Sequence, residues 1–262
     1  MQQTIDFVAE SEALDVVLDG LASEDWDTVT QFKGWTINDV LVHLHFWNGM
    51  VDVALRDPDG FTREVGDMTA AISAGGFRET ENARVIERGP ALREVWRARY
   101  LEIGEGWAAL DPKARVQWVG PDMSVRSAMT ARQMETWAHG QEVFDILGQQ
   151  RREQDRVSNI VMLGVNTFGW SFQVHGREVP PALPQLHLTA PSGEAWRFGE
   201  DAENTITGAA VEFAQVVAQT RNIADTALAV AGPVAAEWMA IAQCFAGGPE
   251  TPPAPGQRHR QV

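Results

Sequence analysis

The strongest constraint on the fold is a helical pattern of apolar residues that returns four times before residue 150. Apolar side chains three and four positions apart form one face of an amphipathic helix. The pattern predicts a helix over residues 4–21, a second that begins after Thr36, a third that opens at Pro90 and a fourth that follows Ser124. Thr36 and Ser124 are suitable N-caps, and Gly148 suits the end of the fourth helix. Four such helices predict a bundle.

The segment between the second and third helices forms the crossover of this bundle. Turn-forming residues at 57–66 and 74–77 interrupt the helical pattern. We therefore expect only a short helical piece between them. The polar, charge-rich run GQQRREQDR follows the fourth helix and is typical of a domain boundary. The bundle domain is thus predicted over residues 1–150.

The second half of the chain has a mixed pattern. A helix is predicted over residues 157–172, and LHLTAPSGEAWRF alternates apolar residues around a Pro-Ser-Gly turn, as a β-hairpin does. NTITGAAVEFAQVVAQTRN supplies a third strand and a helix, and PVAAEWMAIAQCFAG a last helix. The Pro-rich residues 249–262 are predicted to be disordered. The fold class is therefore α+β, with a four-helix bundle followed by a small α+β domain over residues 151–248.

Charge and composition exclude several classes of function. The 262 residues include 36 acidic and 21 basic side chains, for a net charge of −15. Such a surface repels nucleic acid and anionic membranes, so we expect neither as a partner. No stretch approaches the ~18 apolar residues of a membrane span, and the start of the chain lacks the pattern of a signal peptide. The expected location is the cytoplasm, and the expected ligand a small molecule.

The clearest candidates for a chemical role are two histidines and a glutamate. Glu135 and His139 are four apart on the fourth helix, which places both on one face. That spacing alone usually marks solvated neighbours, but apolar residues surround this pair. His43 lies in the apolar stripe of the second helix, where an isolated histidine is usually a hydrogen-bonded core residue. Together the three residues could form a two-His-one-carboxylate site for a catalytic metal.

Other candidates carry weaker signals. Asp39, one turn before His43, is a reserve ligand, and Asp39 or Glu142 could orient an imidazole. His45 lies about 200° around an ideal helix from His43 and cannot share its centre. Cys244 is the single cysteine, and its apolar neighbours indicate a buried side chain rather than a nucleophile. Arg221 could contact an anionic substrate, although a solvated helix-end arginine is the common alternative.

Two motifs resemble a known family. GWTINDVLVHL and RQMETWAHGQEVFDILG resemble the metal-binding bundle of the DinB-like superfamily, specifically the mycothiol-dependent maleylpyruvate isomerase group. The resemblance implies that His43, Glu135 and His139 bind a divalent metal, commonly zinc, which activates a low-molecular-weight thiol. It also implies that residues from LHLTAPSGEAWRFG onward form the small C-terminal domain of those isomerases, with an arginine matching Arg221.

The resemblance leaves the reaction open. The C-terminal segment is also similar to a domain shared with wyosine-base-formation proteins, but the charge of −15 disfavours a role on tRNA. The leading hypothesis is a metal-dependent enzyme that activates an exogenous thiol or water, for isomerisation or thiol transfer. The alternatives are a non-catalytic binding module that holds a metal or a small ligand, and an apolar-ligand carrier built on Trp170, Trp196 and Trp238.

Overall fold

The computed structural model describes residues 1–120 and 122–261 of the chain. The chain divides into two compact units, Met1–Ile146 and Leu147–Val262, and each is described by itself. This division lies close to the predicted boundary near residue 150. None of the helices in the described residues is long and apolar enough to cross a membrane.

The first unit is built around a bundle of four helices. Its elements in chain order are α1 (Gln2–Asp19), α2 (Ile37–Arg56), α3 (Pro58–Gly75), α4 (Phe77–Arg84), α5 (Gly89–Ala108), β1 (Arg115–Val116), β2 (Met123–Ser124) and α6 (Val125–Ile146). Helices α1, α2, α5 and α6 form the bundle: α1 packs against α5 and α6, and α2 packs against α5, α6 and both crossover helices. Large side chains fill the core, including Phe7, Trp96, Trp107 and Trp137. The predicted four-helix bundle is confirmed.

The start of α2 explains the orientation of Asp39. The Thr36 side chain accepts a hydrogen bond from the Asp39 backbone N–H at 3.1 Å, and Asp39 Oδ2 accepts from the Thr36 backbone N–H at 2.9 Å. This reciprocal pair is a capping box, and it stabilises the first turn of the helix. The other carboxylate oxygen accepts from the Asn82 amide at 2.7 Å. The predicted cap at Thr36 is therefore confirmed.

The crossover contains more helix than the sequence predicts. Residues expected to interrupt the pattern at 57–66 instead start α3, because Asp57 accepts a hydrogen bond from the Gly60 backbone N–H at 2.9 Å and Pro58 occupies the first turn. The chain turns at Gly76, whose φ of +97° suits glycine. Helix α4 follows at once and runs beside α2.

The second unit combines helices with a four-stranded sheet. Its elements are α7 (Ser158–Asn166), α8 (Phe168–Val174), β3 (Pro184–Thr189), β4 (Ala195–Phe198), β5 (Asp201–Ala209), α9 (Ala210–Val217), β6 (Ala229–Ala231) and α10 (Pro233–Ile241). The strand order is β4-β3-β5-β6, with β3 and β5 parallel and the other pairs antiparallel. The predicted hairpin is confirmed, since Leu186 pairs with Phe198 and Leu188 with Trp196.

Two local features hold the end of this unit. Asn204 of β5 accepts hydrogen bonds from the backbone N–H groups of Val234 at 2.8 Å and Ala235 at 3.3 Å, so it caps α10 from a neighbouring strand. Gly232, just before α10, has φ of +88° and lies against the Glu203 carbonyl.

The tail makes specific contacts within the same unit. Asn222 donates to the Pro253 carbonyl at 2.7 Å, and Arg258 donates to the Gln219 carbonyl at 2.7 Å. These bonds give the described part of the tail, residues 249–261, a defined path. The disorder suggested by its composition stays a prediction.

Candidate metal centre

The structure brings together the three residues singled out as metal ligands. His43 extends from α2, and Glu135 and His139 extend from one face of α6. One potential ligand atom of each lies within 4.8 Å of those of the others. Glu135 Oε2 is 3.5 Å from His43 Nε2 and 3.4 Å from His139 Nε2. Two imidazole nitrogens and one carboxylate oxygen therefore converge on one point inside the bundle.

A fourth residue, Glu81, orients His43 and was missed by the sequence analysis. Glu81 Oε1 lies 2.9 Å from His43 Nδ1 and accepts a hydrogen bond from Trp47 Nε1 at 2.6 Å. Its side chain is only 1 % exposed. A carboxylate on Nδ1 favours the proton on that nitrogen when the imidazole is neutral, which leaves Nε2 as the ligand atom. Glu81 thus turns His43 toward Glu135.

Nothing in the sequence around Glu81 signals this role. It lies in RETENAR, where polar residues leave no apolar stripe to mark a buried face. The segment also falls in the crossover, whose helices were only partly predicted. The carboxylate becomes recognisable only when α4 is placed beside α2.

The charges of the site shift several pKa values. Burial lowers the pKa of His43, but the carboxylates of Glu81 and Glu135 outweigh it and raise that pKa to about 9. Burial raises the pKa of Glu135, yet hydrogen bonds from both histidines and the nearby Arg132 charge hold it well below its usual value. Burial lowers the pKa of His139. Without a metal, His43 is therefore the protonated residue of the site, and its ring lies between two carboxylates.

Aromatic rings surround the ligand side chains. Trp35 stacks on the His139 ring with centroids 5.8 Å apart, and Phe32 meets the same ring edge-on at 4.9 Å. Phe77 of α4 lies 6.0 Å from the His43 ring. These contacts restrict the rotation of both imidazole rings.

The remaining candidates lie elsewhere. The Asp39 carboxylate accepts hydrogen bonds from Thr36 and Asn82, and Asp39 is absent from the described cluster of potential ligands. His45 is also outside that cluster, as its angle on the helix predicts. Cys244 is buried in the second unit. Arg221 follows α9 in the second unit and donates to the Thr220 carbonyl at 2.8 Å.

Comparison with known proteins places the chain in a family. Residues 7–144 match the family described as the mycothiol maleylpyruvate isomerase N-terminal domain. The chain belongs to the mycothiol maleylpyruvate isomerase family. An uncharacterised protein from two strains of Mycobacterium tuberculosis is 36 % identical over 247 residues, which cover 93 % of this chain and 95 % of that protein. The resemblance inferred from the two sequence motifs is therefore confirmed.

Solved structures share the fold of this family member. A crystal structure of the mycothiol-dependent maleylpyruvate isomerase superposes with a TM-score of 0.51 at 14 % identity, covering 82 % of this chain and 87 % of that one. A histidine-to-alanine mutant of the same enzyme matches with the same TM-score at 16 % identity. At these identities the match shows a common α+β architecture.

Proposed function

We propose that the protein is a metal-dependent enzyme that activates an exogenous low-molecular-weight thiol, or water, for isomerisation or thiol transfer on a small molecule. The observation that carries the proposal is the convergence of His43, Glu135 and His139, with ligand atoms within 4.8 Å of one another. Membership of the mycothiol maleylpyruvate isomerase family supports it.

The donor set fits a divalent metal. Two imidazoles and one carboxylate suit zinc and other borderline divalent ions, and three protein ligands leave a position for a reacting group. A bound divalent ion would supply Lewis-acid activation by lowering the pKa of a thiol or water. The residues that would hold it are His43 through Nε2, Glu135 through Oε2 and His139 through Nε2.

The chain's own residues then have separate tasks. Glu81 holds the His43 ring through Nδ1, so that Nε2 keeps its direction. Trp35 and Phe32 pack on His139 and restrict the rotation of its ring. Arg221, in the second unit, stays a prediction as a contact for an anionic substrate. Glu142, buried on α6, stays a prediction as an orienting residue.

The sulfur must come from outside the chain if a thiol is used. Cys244 is the single cysteine, and it is 4 % exposed. Because the structural relative is a mycothiol-dependent enzyme, mycothiol is the first thiol to test. The proposed metal is zinc, and the proposed location is the cytoplasm.

Metal analysis and a thiol assay test the proposal. We expect one equivalent of zinc in the wild type and none in the triple variant His43→Ala, Glu135→Ala, His139→Ala. His45→Ala is the matched control, because it removes an imidazole from the same helix outside the cluster. The zinc-loaded wild type should also accelerate thiol addition to an activated alkene. Stoichiometric zinc in the triple variant refutes the site, and a zinc-loaded protein with no activity toward a panel of thiols favours a binding module instead.

A further inference from the structure

An open apolar groove lies between α1 and α5 on the surface of the bundle. Its volume is about 360 Å³, and apolar side chains of both helices line it, among them Ile5, Val8 and Leu101. Ile5 is 61 % exposed and Leu101 is 38 % exposed. Because Gly104 has no side chain, α1 approaches α5 closely here, and an added Cβ would collide with Val8. None of the residues that line the groove belongs to the described cluster of metal ligands.

The groove follows the two helices, which run antiparallel. The Met1 ammonium at the start of α1 donates to the Ala108 carbonyl at the end of α5, at 2.9 Å. On an ideal helix Val16 lies within about 20° of Ile5 around the axis of α1 and roughly 16 Å farther along it. Val16 is 74 % exposed. The exposed apolar stripe of α1 therefore extends over about three helical turns.

Two acidic side chains border the groove. Glu12 of α1 and Glu105 of α5 both line it, and neither forms an ion pair with another residue that the structure describes. Helix α1 contains five acidic residues and no lysine or arginine. The Met1 ammonium is near one end of the groove, where it is bonded to a carbonyl. The groove as a whole therefore keeps an excess of negative charge beside its apolar floor.

These charges indicate what can cover the groove. Two copies of this chain, joined through it, would place the Glu12 and Glu105 carboxylates of both chains in one interface, and like charges that face each other disfavour association. The net charge of −15 adds repulsion between whole molecules. A basic partner replaces both repulsions by attraction. A helix suits the shape, because the space between two packed helices accepts a ridge of side chains from a third helix.

We propose that the groove between α1 and α5 is the docking site for a basic amphipathic helix of another protein. Apolar residues of that helix, spaced three and four positions apart, rest on Ile5, Val8 and Leu101. Lys or Arg residues on either side of its apolar stripe pair with Glu12 and Glu105. The interaction goes beyond the proposed function and does not depend on the metal.

Fluorescence anisotropy of labelled synthetic peptides on the full-length protein tests this proposal. The probe is a helical peptide of about 18 residues, long enough to span three turns, with leucine on one face and lysine beside it. One control peptide has the same composition with the leucines scrambled, and the other has glutamate in place of lysine. We expect the probe to bind at least ten-fold more tightly than either control.

Variants of the protein test whether the probe binds in the groove. Leu101→Ser should weaken binding about ten-fold, because it removes an apolar contact from the floor. Glu12→Gln combined with Glu105→Gln should weaken binding about five-fold at low salt. That difference should nearly disappear at about 0.5 M salt, which screens exposed charges.

Matched controls remove the same groups elsewhere on the surface. Ile86→Ser removes an apolar side chain that is 81 % exposed outside the groove. Glu64→Gln combined with Glu79→Gln removes two exposed charges from α3 and α4. Both control variants should bind the probe within two-fold of wild type. Thermal melts identify any variant that fails to fold, and if Leu101→Ser does, Ile5→Ser, at a more exposed position, decides the question.

Each contrary result overturns a stated part of the proposal. Equal affinity of the probe for wild type, the apolar variant and the double acidic variant overturns the groove as the docking site. Equal binding of the scrambled peptide overturns the helical stripe, and tighter binding of the glutamate peptide overturns the basic partner. A wild-type dimer in sedimentation that Leu101→Ser dissociates assigns the groove to a second copy instead. No metal enters these measurements, so the proposed function stands or fails separately.

Discussion

Replacing Glu81 by glutamine tests how the crossover helix contributes to metal binding. The substitution keeps an oxygen that can accept from His43 Nδ1 and Trp47 Nε1, at contacts now 2.9 and 2.6 Å long, but it removes the negative charge. Hydrogen bonds to charged groups contribute about 1.5–3 kcal/mol and neutral ones about 0.5–1.5 kcal/mol. The loss of about 1–1.5 kcal/mol at His43 corresponds to a zinc affinity about ten-fold weaker.

The pH of the assay decides whether this loss is visible. The carboxylates raise the pKa of His43 to about 9, so at pH 7 a proton competes with the metal for this side chain. Each unit between pH and pKa weakens the apparent affinity about ten-fold. Glu81→Gln lowers the pKa of His43 and relieves that competition, which offsets the lost orientation at pH 7. The full ten-fold difference should therefore appear near pH 9 and shrink toward pH 7.

Competition with a chromophoric chelator measures zinc affinity at both pH values. Glu79→Gln is the matched control, because Glu79 lies on the same helix with an exposed side chain that pairs with Arg78. Equal zinc affinities for Glu81→Gln and Glu79→Gln at pH 9 would refute the reasoning. Glu81→Ala should lose more, since it leaves the buried donors of His43 and Trp47 without an acceptor.

Two further predictions concern stability. Burial raises the pKa of Asp39, but hydrogen bonds from Thr36 and Asn82 outweigh it and lower that pKa below 3.8. The ionised Asp39 carboxylate therefore stabilises the folded protein above that value, and this stabilisation is lost as the pH falls through the lower pKa of the folded state. Asp39→Asn should cost about 1 kcal/mol at pH 7 by denaturant unfolding, with the difference from wild type disappearing toward pH 2, and a constant difference would contradict this. Gly232→Ala should destabilise the second unit by about 3 kcal/mol, because its φ is +88° and an added Cβ would meet the Glu203 carbonyl. Gly176→Ala has φ of +67° in open space, so thermal melts should show a loss of only about 1 kcal/mol; equal losses would contradict the steric argument.

The bundle and its ligand triad were predictable because both rest on helical periodicity. A stripe of apolar residues sets which face of α2 and α6 is buried, and His43, Glu135 and His139 lie on or beside those faces. The same reasoning rejected His45 by its angle on the helix, and the described cluster omits it. Local patterns also located Thr36 as the cap of α2.

Features set by long-range packing were not predictable in this way. Glu81 contacts His43 across 38 positions of sequence, and the polar residues around it give no sign of burial. The start of α3 was misinterpreted because Asp57 and Pro58 occur both in turns and at helix N-termini. The parallel pairing of β3 with β5 and the position of the short strand β6 depend on pairing between segments that are distant in sequence, which local patterns do not predict. Arg132 resembles a surface residue in sequence, and only the structure places it beside Glu135.

The short helix α4 has a consequence for attempts to copy this centre. It brings both Glu81 and Phe77 onto the ring of His43, although it is not one of the four bundle helices. A designer who grafted the three ligands onto an idealised four-helix scaffold would reproduce their spacing but leave one imidazole free to rotate and exchange tautomers. A designed protein that reproduces this site therefore needs an additional segment, inserted in the second connection of the bundle and carrying one acidic and one aromatic side chain.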